Sequence, residues 1–235
     1  MPRPGLDIAL LIFSPAMDYR HSGLRSPHTR FGVPARLFAA VICIAAVTGI
    51  GLELSNLLAQ GNPVPKAVWI LVRFFTILTN GLLAIVFANI AMRGIRVLPP
   101  RVLAGSVSAI VLVGVVFALL LQDARPIAGA AAAADFLMHK ATPILALIFW
   151  LVYAPKGRLA WRDPLNWSLY PLVYLIYALI RGHFEGIYPY PFIDVAANGW
   201  PQVLVTAAVI AVGFIGAGWL MVWLDRALAR RSSNL

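Results

Sequence analysis

The stretch VWILVRFFTILTNGLLAIVFANIAM, Val68 to Met92, decides the fold. An α-helix rises ~1.5 Å per residue, so about 20 predominantly apolar residues cross a hydrocarbon core ~30 Å thick. This stretch exceeds that length with one formal charge, Arg73, and is followed by Arg93, Arg96 and Arg101. It predicts a transmembrane helix whose basic end is cytoplasmic.

Five more apolar stretches of similar kind run over about 36–59, 102–121, 135–154, 166–182 and 203–224. Basic residues collect in every second gap between the six. Arg3, Arg20, Arg25, Arg30 and Arg36 precede the first stretch, and Lys156, Arg158 and Arg162 follow the fourth. Arg226, Arg230 and Arg231 follow the sixth, while the alternate gaps hold little beyond Lys66, Arg125 and Arg181. The positive-inside rule then places both termini in the cytoplasm and predicts an all-α, polytopic six-helix transmembrane bundle, N-in and C-in. Residues 1–34 read as a cytoplasmic leader, 35–225 as the membrane domain and 226–235 as a cytoplasmic basic tail. Within the leader, Asp7 and Pro15 interrupt the apolar run Gly5–Met17, which argues against a signal peptide.

Composition agrees. With 61% hydrophobic and 12% charged residues and a mean hydropathy of +0.83, the chain lacks the polar side chains that a water-soluble surface requires. The net charge of +10 is accounted for as a topology signal facing anionic lipid headgroups, so no nucleic-acid partner is expected. The single cysteine, Cys43, lies inside the first stretch and excludes a disulfide framework within one chain.

Polar groups are costly inside a bilayer and turn toward one another or toward water. Read as one helix, the second stretch places Thr76 about nine residues below its outer end, with Arg73 one turn above and Asn80 one turn below on the same face. Thr79 lies near that face. Asp135 and His139 share a face near the outer end of the fourth stretch, and the fifth ends in Arg181, His183 and Glu185. Each has a plain structural reading: Thr76 or Thr79 bonded to its own i−4 carbonyl, Asp135 as a helix cap, Arg73 and Arg181 reaching for headgroups, and Tyr188, Tyr190, Phe192 and Trp200 as an interfacial belt.

No G-x-S-x-G elbow, Walker loop, dinucleotide fingerprint or H-E-x-x-H motif occurs. Two chemistries remain open. Thr76, His139 and Asp135 are the residue types of a hydroxyl nucleophile, its base and an orienting carboxylate, with Asn80 or Arg73 as oxyanion or carboxylate donors. Alternatively His139, His183, Asp135 and Glu185 would bind zinc and activate water. A non-enzymatic transporter or lipid-binding scaffold would use the same layer as a pocket.

The segments Arg73–Asn80 (RFFTILTN), Asp135–His139 (DFLMH) with Pro143 behind, and His183–Phe192 (HFEGIYPYPF) resemble the androgen-induced protein family, which includes the androgen-dependent regulator of tissue-factor-pathway inhibitor. The resemblance covers most of residues 36–225 through short motifs, and points to a bacterial-type six-span relative in the inner membrane. It implies an intramembrane hydrolase of fatty-acid esters, with Thr76 as nucleophile, His139 as its partner and membrane lipids as surroundings and substrate source. The family carries an asparagine-like residue where Asp135 stands, so the resemblance implies a Thr–His dyad. No cofactor and no metal are expected. If the six-span topology holds, reporter fusions at Asn62, Ala128 and Val195 will be extracytoplasmic; a cytoplasmic report near Val195 would refute the span count.

Overall fold

The computed structural model describes residues 32–122 and 128–232, and among these the chain is helices joined by short connections, without strands. In order the helices are α1 (Gly32–Ala59), α2 (Val64–Leu71), α3 (Phe75–Arg93), α4 (Pro100–Val116), α5 (Gly129–Phe136), α6 (Thr142–Tyr153), α7 (Asp163–Trp167), α8 (Leu169–Glu185) and α9 (Val195–Ser232). A π-helical turn, Phe117–Leu121, extends α4, and a second, Leu137–Ala141, joins α5 to α6. The leader expected over 1–34 lies outside the described residues, apart from Gly32, Val33 and Pro34, which open α1.

Five helical segments are long and apolar enough to cross a membrane: Gly32–Ala59, Phe75–Arg93, Pro100–Leu121, Gly129–Tyr153 and Val195–Arg231. They correspond to five of the six stretches. The remaining stretch, 166–182, falls largely on α8, which has only 17 residues and carries Arg181, His183 and Glu185 near its end. Prolines mark helix starts, where a missing N–H costs least. Pro99 and Pro100 open α4, Pro164 lies in the first turn of α7, and Pro201 follows a kink in α9 at Gly199, whose φ of 73° suits glycine.

The core is a seam of apolar side chains, with Ile42, Leu83, Phe87, Ile110, Phe149 and Trp150 almost fully buried. α1 packs on α3, α3 on α4, and α4 on α6, while α9 rests against α4 and α7. Arg36 at the start of α1 donates to the carbonyls of Ala91 (2.7 Å) and Met92 (2.8 Å), capping the C-terminal end of antiparallel α3. The outer faces are apolar as well: Ile44, Ile85, Leu119, Val209 and Val212 are exposed. Apolar surface on that scale suits lipid rather than water.

One sequence expectation is corrected. Residues 68–92 are two helices, because the chain leaves the helical path after Leu71 and Phe74 is extended (φ −95°, ψ 130°) before α3 begins. Arg73 therefore lies in the break, and Thr76 is the second residue of α3 instead of nine residues down one helix. A break exposes carbonyls, and in a membrane protein they need protein donors. One side of α8 supplies them. Tyr174 Oη donates to Arg73 O (2.8 Å), Tyr177 Oη to Val72 O (3.2 Å) and Arg181 Nη2 to Trp69 O (2.7 Å). Tyr174→Phe and Tyr177→Phe should each lower stability by about 0.6–1.7 kcal/mol, the range for hydrogen bonds between membrane helices. Thermal unfolding in detergent checks this, and an unchanged transition in the double variant would contradict the role given to the phenols.

Candidate functional site

Three side chains from two helical segments form a chain of hydrogen bonds. Thr76 Oγ1 lies 3.2 Å from His139 Nε2, and His139 Nδ1 lies 2.9 Å from Asp135 Oδ1. An ionised carboxylate only accepts, so the partner of Asp135 is Nδ1–H, which leaves Nε2 with a lone pair for the Thr76 hydroxyl. Asp135 is the seventh residue of its helix, which starts at Gly129. It holds the imidazole and does not cap the helix.

The π-turn places His139. In that turn the Thr142 amide bonds back to Leu137 O, one residue further than in an α-helix, so it does not reach Met138 O. Asn80 Nδ2 takes that carbonyl over at 3.3 Å, with Thr142 Oγ1 also 3.3 Å away and sharing its one proton between this carbonyl and Asn80. Asn80 Nδ2 also donates to Thr76 O (2.9 Å), and Asn80 Oδ1 accepts from Thr142 Oγ1 (2.8 Å). Both Asn80 and Thr142 are fully buried. Asn80 thus ties the backbone of the hydroxyl residue to the backbone beside the histidine, and its amide nitrogen is spent on carbonyls. On the other face the imidazole stacks on Phe117 from the α4 π-turn, with centroids 4.1 Å apart and planes 12° apart. Close approach there depends on Gly114, where a Cβ would meet Pro143 at 3.1 Å and His139 O at 3.2 Å.

Thr76 sits in the first turn of α3, where amides have no intrahelical acceptor. Its N–H donates to Tyr190 Oη (3.4 Å), and the same phenol lies 3.5 Å from Thr76 Oγ1. Burial pushes the Tyr190 phenol up from its ordinary value, so it remains a neutral donor. Tyr190 thus belongs to the site, although the sequence reading put it in an interfacial belt. Thr79 bonds Tyr170 Oη (3.2 Å) and stands apart from the histidine.

The other candidates form a separate cluster. Arg73 Nη2 meets Glu185 Oε2 at 2.5 Å. Glu185 Oε1 accepts from Arg181 Nε (2.8 Å) and from Trp69 Nε1 (2.9 Å). Arg181 is buried over the Trp69 ring, 4.0 Å from its centroid. Arg73 and Arg181 are therefore held by protein groups, with Glu185 as their counter-ion. His183 is exposed and touches Phe184, since two residues along a helix point to another side. The four zinc candidates are thus distributed over three places, and among the described residues no three His, Cys, Asp or Glu gather into a metal-binding group.

A cavity of about 200 Å³ opens beside the Thr76–His139 pair. Its walls are largely apolar, among them Val113, Leu172, Leu175, Ile210 and Phe214, and Thr76, His139 and Tyr190 line it together. The arrangement brings a hydroxyl, a base, an orienting carboxylate and a phenol donor to an apolar slot, which are the requirements of acyl transfer. No protein-family model, curated protein or solved structure matches this chain.

Proposed function

We propose that the protein is an intramembrane hydrolase of lipid esters acting through Thr76 and His139. The observation that carries this reading is the hydroxyl–imidazole–carboxylate relay at 3.2 and 2.9 Å, opening on an apolar cavity. His139 Nε2 takes the Thr76 proton as Oγ1 bonds to the ester carbonyl carbon, giving a tetrahedral oxyanion. The Tyr190 hydroxyl, 3.5 Å from Thr76 Oγ1, is the donor at hand for that oxygen. As the intermediate collapses, the ester C–O bond breaks and the leaving alcohol receives the proton from the imidazolium. Water then attacks the acyl-threonine with His139 again as base, releasing a carboxylic acid and restoring Thr76. Asp135 orients the ring and stabilises its charged form. Arg73, Asn80 and Glu185 hold the backbone on either side, and His183 has no part in the reaction.

This chemistry agrees with what the resemblance to the androgen-induced protein family implies, a Thr–His hydrolase of fatty-acid esters. We place the chain in a bacterial inner membrane with six crossings and both termini cytoplasmic. α8 serves as the sixth crossing, since Ser168 between α7 and α8 is in the right-handed helical region and the pair runs continuously over 163–185. Membrane lipids are its surroundings and supply its substrate.

Thr76→Ala and His139→Ala should each reduce hydrolysis of a lipid ester by about 10³-fold or more, since a nucleophile and its base act as one unit. Stability should change by only about 0.6 kcal/mol. Thr79→Ala should retain most activity. Steady-state hydrolysis by purified variants, with thermal unfolding as the folding control, tests this. Full activity in Thr76→Ala, or no hydrolysis of any lipid ester by the folded wild type, would overturn the reading in favour of a binding or scaffold protein.

A further inference from the structure

Thr76, His139 and Tyr190 line the cavity, and the walls that α9 contributes run from Ala207 to Ile215, about 12 Å at ~1.5 Å per residue. Ser168 also lines it, and its hydroxyl is committed to Leu165 O (2.7 Å), so it offers a ligand no free donor. Phe214 lines the cavity too and is only 5% exposed. Just beyond it, at Gly218, α9 closes on α7, where a Cβ would meet Pro164 at 2.7 Å.

Its side is open. α9 packs against α4, α7 and the turn at Pro191–Ile193, and residues of both α8 and α9 line the cavity. Leu172 of α8 and Ala211 of α9 line it and are exposed to the bilayer side. A volume of about 200 Å³ is below the ~300–1,000 Å³ of pockets for drug-sized ligands. It suits one narrow unbranched chain better than a sterol or a paired-chain lipid.

We propose that this cavity is a slot for a single acyl chain, entered sideways from the bilayer between α8 and α9, with Phe214 as the floor that limits chain length. The proposal rests on the hydrolase reading for its orientation, with the ester carbonyl at Thr76 and the chain end at Phe214. A methylene that meets an apolar wall instead of a clash changes discrimination by about 10- to 200-fold, so the floor residue controls selectivity.

Two assays on the full-length protein test it. In the first, p-nitrophenyl esters of graded chain length are hydrolysed by wild type, Phe214→Ala and Ala211→Phe. In the second, saturated primary alcohols of matched lengths, which cannot be hydrolysed, displace a fluorescent fatty acid from the same proteins carrying Thr76→Ala. Phe214→Ala should raise the long-to-short ratio of kcat/KM by about tenfold or more, and Ala211→Phe should lower it. Alcohol affinities should shift the same way. Should Phe214→Ala fail to fold, Ala211→Phe, on an exposed face of α9, decides alone. Alcohol binding that shifts as stated without hydrolysis by any protein would uphold the slot and refute the hydrolase reading. Length profiles that coincide in all folded proteins, or no alcohol binding by any of them, would overturn the slot.

Discussion

The break between α2 and α3 is the constraint on which the site depends. An unbroken helix would bury the Thr76 amide in its own ladder. The break makes Thr76 a first-turn residue, with its N–H turned to Tyr190 and its hydroxyl to His139. Such a break inside an apolar bundle survives only if the carbonyls it releases find donors. Tyr174, Tyr177 and Arg181 of α8 supply them. Arg181 also donates to Tyr177 Oη (2.7 Å) and pairs with Glu185, which in turn holds Arg73. The charged cluster around Glu185 is therefore the clamp that holds the break beside the Thr76–His139 pair.

A second departure from regular helix faces the first. The π-turn at Leu137–Ala141 presents His139 toward α3, and Asn80 joins the two irregular backbones through carbonyls on both sides. Backbone irregularity in membrane helices is tolerated where side chains re-satisfy it, and π-turns recur at functional sites. Here both irregular segments end on one hydroxyl–imidazole pair. The Asp135 and His139 side chains are largely withdrawn from solvent, and away from water their hydrogen bond is electrostatically stronger.

Much of this was legible in the sequence. Apolar length picks out six stretches, and five of them are helices long and apolar enough to cross a membrane, because hydropathy measures the solvent a helix requires. Asp135 and His139 are four residues apart, which on any helix means one face. The break at Val72–Phe74 was not legible, since it contains neither glycine nor proline and is stabilised by phenols a hundred residues away. Tyr190 was missed for a related reason: belt tyrosines and site tyrosines have the same local sequence, and only the return of the loop onto α3 separates them. His183 and Glu185 looked equivalent at the end of the fifth stretch, yet Glu185 shares a face with Arg181 while His183 points outward. Pro143 carried a usable signal, because a residue without N–H cannot serve the His139 carbonyl and so disturbs the helix beside the imidazole.

The most direct measurement is to map, by peptide mass spectrometry, where a fluorophosphonate probe reacts in the folded protein. The account predicts one adduct, on Thr76, that disappears in His139→Ala because the hydroxyl loses its base. An adduct on another residue, or labelling of Thr76 that persists without His139, would contradict it.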